Sequence, residues 1–332
     1  MAYGKRRSCD RWRTASLTVG FLTIILVASA HAQSAQYIYW SGDGVDIKRA
    51  NIDGSMSINL INSVSGAVIT GFALDVPNNH IYWIEDLGVG ILGFIRRANM
   101  DGTGDVITLR NDVTRGRGFA LDLINRHMYW LEINCCIRRA NLDGSGVTTI
   151  ESRTNTGREI ALDVPNNHIY WIEGGPATIW RNDLDGLNKN RIALRTDATG
   201  GQGIALDVPN NKMYWLEQAG GGKIRRANLD GSDPSLPPLV TGMQGIGIAL
   251  DLNNEHIFWG DFTVPRHIGR ANLDGSDARS WLTVTGYHAI VLQTGGLPSS
   301  GGLQVRSVPF RSQYVVLALF ALLGCWYILR PH

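Results

Sequence analysis

The sequence predicts an all-β protein built as a six-bladed β-propeller, and three observations carry that prediction. A thirteen-residue stretch, ALDVPNNHIYWIE, fills residues 73–85 and returns unchanged at residues 161–173. Variants begin at Ala120, Ala205 and Ala249, and a fragment, QYIYWSGD, opens the series at Gln36. The tryptophans Trp40, Trp83, Trp130, Trp171, Trp215 and Trp259 are spaced by 43, 47, 41, 44 and 44 residues. A self-similar period in the low forties, with strand-like composition, is the signature of a repeat array.

Each unit reads as four short strands. The first, GFALDV at residues 71–76, ends at the turn PNN. The second, HIYWIE at residues 80–85, sets Ile81 and Trp83 on one side and Tyr82 and Ile84 on the other. Both faces are apolar, which suits a strand packed between two neighbouring sheets. The third, IRRAN at residues 95–99, runs into MDGT, whose Asp-Gly suits a tight hairpin. The fourth is a looser run at residues 105–110.

Units this short must stack to bury both faces. The first unit lacks its ALDV strand, and the last is followed by an unattached strand, HAIVL, with Ala289 aligned on Ala73. The piece missing at one end is the surplus at the other, which predicts a ring whose first blade is closed by the C-terminal strand.

The motif YW[IL]E, the ALD before it and the I-x-R-x-N-[IL]-DG after it resemble the YWTD repeat of the low-density-lipoprotein receptor family. The likeness covers residues 36–293 and implies six blades and a bacterial-type exported member of that family. Two departures stand out. The fourth motif residue is Glu in Glu85, Glu132, Glu173 and Glu217, and only Asp261 keeps Asp. No cysteine-rich modules flank the repeats, so receptor endocytosis does not carry over.

The ends read differently from the middle. Residues 1–32 hold a basic start, an apolar run and Ala30-His31-Ala32, the pattern of a secretory signal peptide. Residues 33–293 form the propeller and residues 294–313 a flexible spacer. The apolar run at residues 314–329 is expected to act as a membrane, sorting or lipid-anchor segment. Expected localisation is therefore export, with the C-terminus tethered to a membrane or cell surface.

Without both ends, the chain carries 23 basic and 28 acidic groups, a net charge of −5. The basic balance belongs to the targeting segments and argues against nucleic-acid binding. Only Cys135 and Cys136 lie within the propeller, so no disulfide framework supports it and a core must. A bridge between these neighbours would join Cα atoms held ~3.8 Å apart, and a lone pair lacks the ligand count of a metal site.

Residues common to all units are expected to be scaffold. The alanines Ala73, Ala120, Ala161, Ala205, Ala249 and Ala289 would let inner strands converge. The second basic residue of each third strand recurs as Arg49, Arg97, Arg139, Arg181, Arg226 and Arg270. These arginines are expected to pair with the motif acids Glu85, Glu132, Glu173, Glu217 and Asp261. Asp75, Asp122, Asp163, Asp207 and Asp251 should cap the turns that follow them. His80, His127, His168 and His256 occupy equivalent places on different blades and cannot converge on one ion.

Function is expected where the units differ. The connections after the second and fourth strands vary and share one face, and Arg117, Arg158, Glu159, Gln202 and Tyr287 should form a polar rim around the channel mouth. The expected activity is non-enzymatic binding of an extracellular protein or glycan by a monomeric domain, without catalytic residues, cofactor or metal. A metal-dependent lactonase or esterase at the mouth is the alternative, as is a purely structural spacer. One carboxylate beside two arginines is a poor cation site, and no activated nucleophile stands apart from the repeats.

Overall fold

The computed structural model describes residues 33–295 except 43–44, 64–66, 176–177, 188–190, 235–236 and 285–289. The expected signal segment, the apolar tail, Tyr287 and Ala289 lie outside the described residues. Six four-stranded antiparallel sheets form the blades, as the repeats predict. The only helical turns described are the 3-10 segments Val76–Asn78 and Val164–Asn166. No described helix is long and apolar enough to cross a membrane.

Blades one to six have as innermost strands Ile290–Gly295, Val68–Asp75, Gly116–Asp122, Gly157–Asp163, Gly201–Asp207 and Gly245–Asp251. These six pack in cyclic order, and Ile290–Gly295 touches the inner strands of both blade six and blade two. Gln33–Gly42 pairs with Ile290–Gly295, so the C-terminal strand completes the first blade. This strand reaches Gly295, two residues into the stretch expected to be spacer.

The register of that closure corrects one expectation. Tyr39 lies opposite Val291, just as Tyr82 lies opposite Ala73. Val291, not Ala289, therefore holds the inner position of blade one. The alignment shifts by two because IVLQ is the equivalent of FALD, and the shift preserves the alternation of faces.

The repeated aromatic residues explain why the blades stack. Tyr82 packs with Trp130 in one core cluster, Tyr129 with Trp171 in the next, and Tyr170 with Trp215 in the one after. Tyr39 meets Trp83, Tyr214 meets Trp259, and Phe258 meets Trp40, which completes the circle. Each second strand thus sends its tyrosine face to one neighbour and its tryptophan face to the other. The cores lie between blades, so no blade is complete alone.

The inner aspartates cap as expected. Oδ1 of Asp122 accepts the Asn125 backbone N–H at 2.9 Å and its Oδ2 accepts the Asn125 amide at 2.7 Å. Asp75, Asp163, Asp207 and Asp251 make the same pair of contacts with Asn78, Asn166, Asn210 and Asn254. The histidines stand edge-on to the ring two residues along, His80 to Tyr82 and His256 to Phe258 among them.

Candidate functional site

The motif acid is held differently from the expected pairing. Arg96, the residue before Arg97, donates Nε–H to Oε2 of Glu85 at 2.9 Å, while Trp83 Nε1 donates to Oε1 at 3.0 Å. Arg138 is the basic residue nearest Glu132, at 3.7 Å, and Glu217 is reached by Lys223 at 3.1 Å and Arg225 at 3.8 Å. Arg191 lies 4.0 Å from Glu173, and His267 lies 3.6 Å from Asp261.

The reason is parity. Side chains two apart on a strand share a face, so Glu85 lies on the Trp83 side. Arg96 is opposite Trp83 and shares that side, whereas Arg97 is opposite Tyr82 and projects the other way. Arg139 instead contacts the Tyr129 hydroxyl and, from Nη1, the Leu184 carbonyl at 3.4 Å in the next blade. Arg181 and Arg226 likewise contact Tyr170 and Tyr214. Arg270, which faces Phe258, turns to Asp277 at 3.3 Å.

Glutamate at the motif position has a use that aspartate does not share. Trp130, Trp171 and Trp215 donate Nε1–H to the Oε1 of Glu132, Glu173 and Glu217 at 3.0, 3.4 and 2.7 Å. In blade six the shorter Asp261 takes Thr263 at 2.9 Å instead, and Trp259 Nε1 is buried without a partner.

The variable rim sits on β-bulges. Register shifts interrupt the inner strands between Ile69 and Gly71, Gly157 and Glu159, and Gly201 and Gly203, at Thr70, Arg158 and Gln202. Blade three has the same irregularity between Gly116 and Phe119, across Arg117. A bulge re-aims side chains without breaking the sheet, so these positions escape the strict alternation that serves the core.

The rim residues do not all converge. Arg117 reaches across to blade two and donates to Asp86 Oδ2 at 3.0 Å. Burial holds Arg117 below the usual guanidinium value; Asp86 opposes the shift, and the like charges of Arg115 and Arg158 add to it. Arg115 and Arg158 are thus electrostatic neighbours of Arg117. The Nε–H groups of Arg115 and Arg158 are buried without a partner. Gln202 lies apart, donating its amide to Gln218 at 3.1 Å.

Glu159 leaves the rim and enters the axis. With the inner strands it lines a central cavity of about 160 Å³ whose other lining residues are apolar or glycine. Protein surrounds its carboxyl, although the side chain faces the channel. This burial pushes its pKa up to about 8, against the opposing pull of the backbone N–H groups of Ile160 and Phe119. Gly118 accommodates it, since a Cβ there would stand 2.8 Å from Glu159 Cα and 2.7 Å from Ile160 N.

Three participants escaped the sequence reading. Arg115 precedes an inner strand and carries a left-handed φ of 47°. Asp86 and Gln218 each follow a motif glutamate directly, a placement that could have marked them as rim residues. Among the described residues, potential metal-ligating atoms gather at Glu132, Cys135 and Cys136 and not on the inner aspartates.

No protein-family model matches the sequence, and no curated protein matches it. Among solved structures, a chain of a nidogen/laminin complex is similar at a TM-score of 0.67 and 18% identity, over 77% of this chain and 97% of that one. TolB from Acinetobacter baumannii is similar at 0.60 and 12% identity, over 77% of this chain and 66% of that one. A putative TolB from Agrobacterium tumefaciens reaches 0.58 at 8% identity, over 80% of this chain and all (100%) of that one. At these identities the shared property is the fold, a six-bladed β-propeller.

Proposed function

We propose that this chain is an exported, surface-tethered YWTD-type propeller that binds the acidic groups of an extracellular protein or glycan, without catalysis. The observation that carries the reading is the arginine cluster at the mouth. Arg115 and Arg158 each repel Arg117, and among the described residues only Arg117 has an acidic partner there. An incoming carboxylate would offset this repulsion through charge-assisted hydrogen bonds to the guanidinium groups.

The contrast with the opposite face supports this reading. There the Asp-Gly turns satisfy themselves: Asp53, Asp143, Asp230 and Asp274 each accept the N–H and hydroxyl of the serine two residues on. On the variable face, the loop that begins at Asp86 exposes Val89, Ile91 and Leu92 at 80%, 55% and 54%. An apolar contact beside a cationic anchor suits a macromolecular ligand better than a free ion. The nidogen/laminin structure is a complex, so a propeller of similar fold occurs in a protein assembly.

The test is surface plasmon resonance on the immobilised chain with polyglutamate and oligogalacturonate. The reading expects salt-sensitive binding of at least one, weakened about tenfold or more by Arg158→Ala, which leaves the Arg117–Asp86 pair in place and the melting temperature preserved. Absent or equal binding would remove the rim from consideration and favour a spacer.

A further inference from the structure

Blade three turns from its second to its third strand through Ile133, Asn134 and Cys135, and there Cys135 and Cys136 are joined by a disulfide. Cys136 is the cross-strand partner of the motif acid Glu132. Its Sγ lies 3.8 Å from Glu132 Oε2. A bridged sulfur has no hydrogen to donate. Glu132 is fully buried, and the Trp130 bond goes to Oε1, so in the bridged state Oε2 has no donor among the described residues.

Blades two and five show the contrast. Glu85 Oε2 takes Arg96 at 2.9 Å, and Glu217 Oε2 takes Lys223 at 3.1 Å. Lys223 and His267 occupy the cross-strand position that Cys136 holds in blade three. The equivalent basic side chain, Arg138, lies 3.7 Å from Oε1, and its Nε makes no hydrogen bond. In blade three a sulfur stands beside the buried carboxylate where blades five and six place a basic side chain.

We propose that reduction of the Cys135–Cys136 bridge opens a site for a thiophilic divalent cation of the Zn²⁺ and Cd²⁺ class, with Glu132 as the third ligand. The ligand atoms of all three residues already lie within 4.8 Å of one another. Zinc bonds of ~2.3 Å to sulfur and ~2.0–2.2 Å to oxygen require only modest side-chain rotation from there. Three protein ligands leave a fourth tetrahedral position to water. Cys136 is buried and Cys135 is half-buried, so an ion would enter past Cys135 from the variable face.

The backbone is held independently of the bridge. Asn134 N–H donates to Asn155 O at 2.7 Å, Ile133 N–H to Arg115 O at 3.3 Å, and Thr154 Oγ1 to Glu132 O at 3.1 Å. A phosphine with one water converts the disulfide to two thiols and leaves as the phosphine oxide. The cation then displaces both thiol protons to solvent and binds two thiolates. The proposal is independent of ligand binding at the arginine rim.

The test uses the full chain with Cys9→Ser and Cys325→Ser, reduced with a phosphine, freed of reductant under nitrogen and titrated with Cd²⁺. One equivalent should produce the thiolate-to-cadmium charge-transfer band and change the fluorescence of Trp130, compared with a Trp130→Phe control. Cys136→Ser should abolish the band. Glu132→Gln, which keeps an acceptor for Trp130, should weaken binding by at least the ~10-fold that losing an outer-sphere partner costs. A bridge that resists reduction in the folded chain, a reduced chain without the band, a band that survives Cys136→Ser, or equal affinity in Glu132→Gln would each overturn the site.

Discussion

Arg96 donates its Nε–H to Glu85 Oε2 at 2.9 Å, and the two side chains share a sheet face with Trp83, whose indole binds the other carboxylate oxygen. Glu85 is fully buried and the Arg96 side chain is 12% exposed. Such a pair is costly to break on one side, because the remaining charge stays in the core. Arg96→Met should therefore destabilise the chain by roughly 3–5 kcal/mol in urea unfolding. A double-mutant cycle should give Arg96 and Glu85 a coupling above about 1 kcal/mol, and Arg97 and Glu85 almost none. Equal coupling would contradict the parity argument.

Gly118 lies where two blades meet beside the channel. An added Cβ would approach Ile160 N at 2.7 Å and Glu159 carbonyl carbon at 2.9 Å, both backbone atoms. Gly118→Ala should lower stability by about 1–3 kcal/mol, the usual cost of forcing backbone apart. The check is the urea midpoint. An unchanged value would mean that blades three and four separate more easily than their packing suggests.

Glu159 should make the fold less stable as pH rises. Its folded pKa, about 8, lies above the ordinary carboxyl value of 4.5, so the folded chain holds its proton more tightly than the unfolded chain does. That contribution is complete below pH 4.5 and is lost as pH rises through about 8. Glu159→Gln should accordingly gain stability relative to the parent between pH 5 and pH 9, by a few kcal/mol. Parallel melting curves across that range would show that channel water keeps the carboxylate solvated.

The histidines act in the opposite direction. Burial, aided by Arg97, Arg139, Arg181 and Arg270, lowers the pKa of His80, His127, His168 and His256 below 6.5. The unfolded chain therefore binds more protons, and their share of stability, present above pH 6.5, is lost as pH falls toward the lowered values. Acid destabilisation should be steeper in Glu159→Gln, where the opposing carboxyl is gone, and shallower when the four histidines become glutamine. Calorimetry from pH 7 to pH 5 separates the two.

Much of this architecture was legible in the letters. Trp83 and Tyr82 must face opposite ways on a strand, so two apolar faces required two neighbours, and the displaced C-terminal strand required a ring. The turn role of Asp75 followed from the Asn78 three residues later. The same alternation would also have assigned Glu85 to Arg96 rather than Arg97, had it been carried one strand further. Recurrence alone points to Arg97, but recurring residues serve both faces of the strand.

Local order along the chain determined the blades, because strand periodicity, turn chemistry and the repeated motif depend on residues close in sequence. Tertiary structure decided what happens on the axis and at the mouth. Arg117 and Asp86 are 31 residues apart, and their meeting depends on how two blades abut. Glu159 and Arg158 are adjacent, yet the bulge between Gly157 and Glu159 leaves Arg158 beside the rim arginines while the glutamate turns into the channel. Burial is a property of the closed ring, so the charge, pairing and accessibility of these groups are set only once all six inner strands have met.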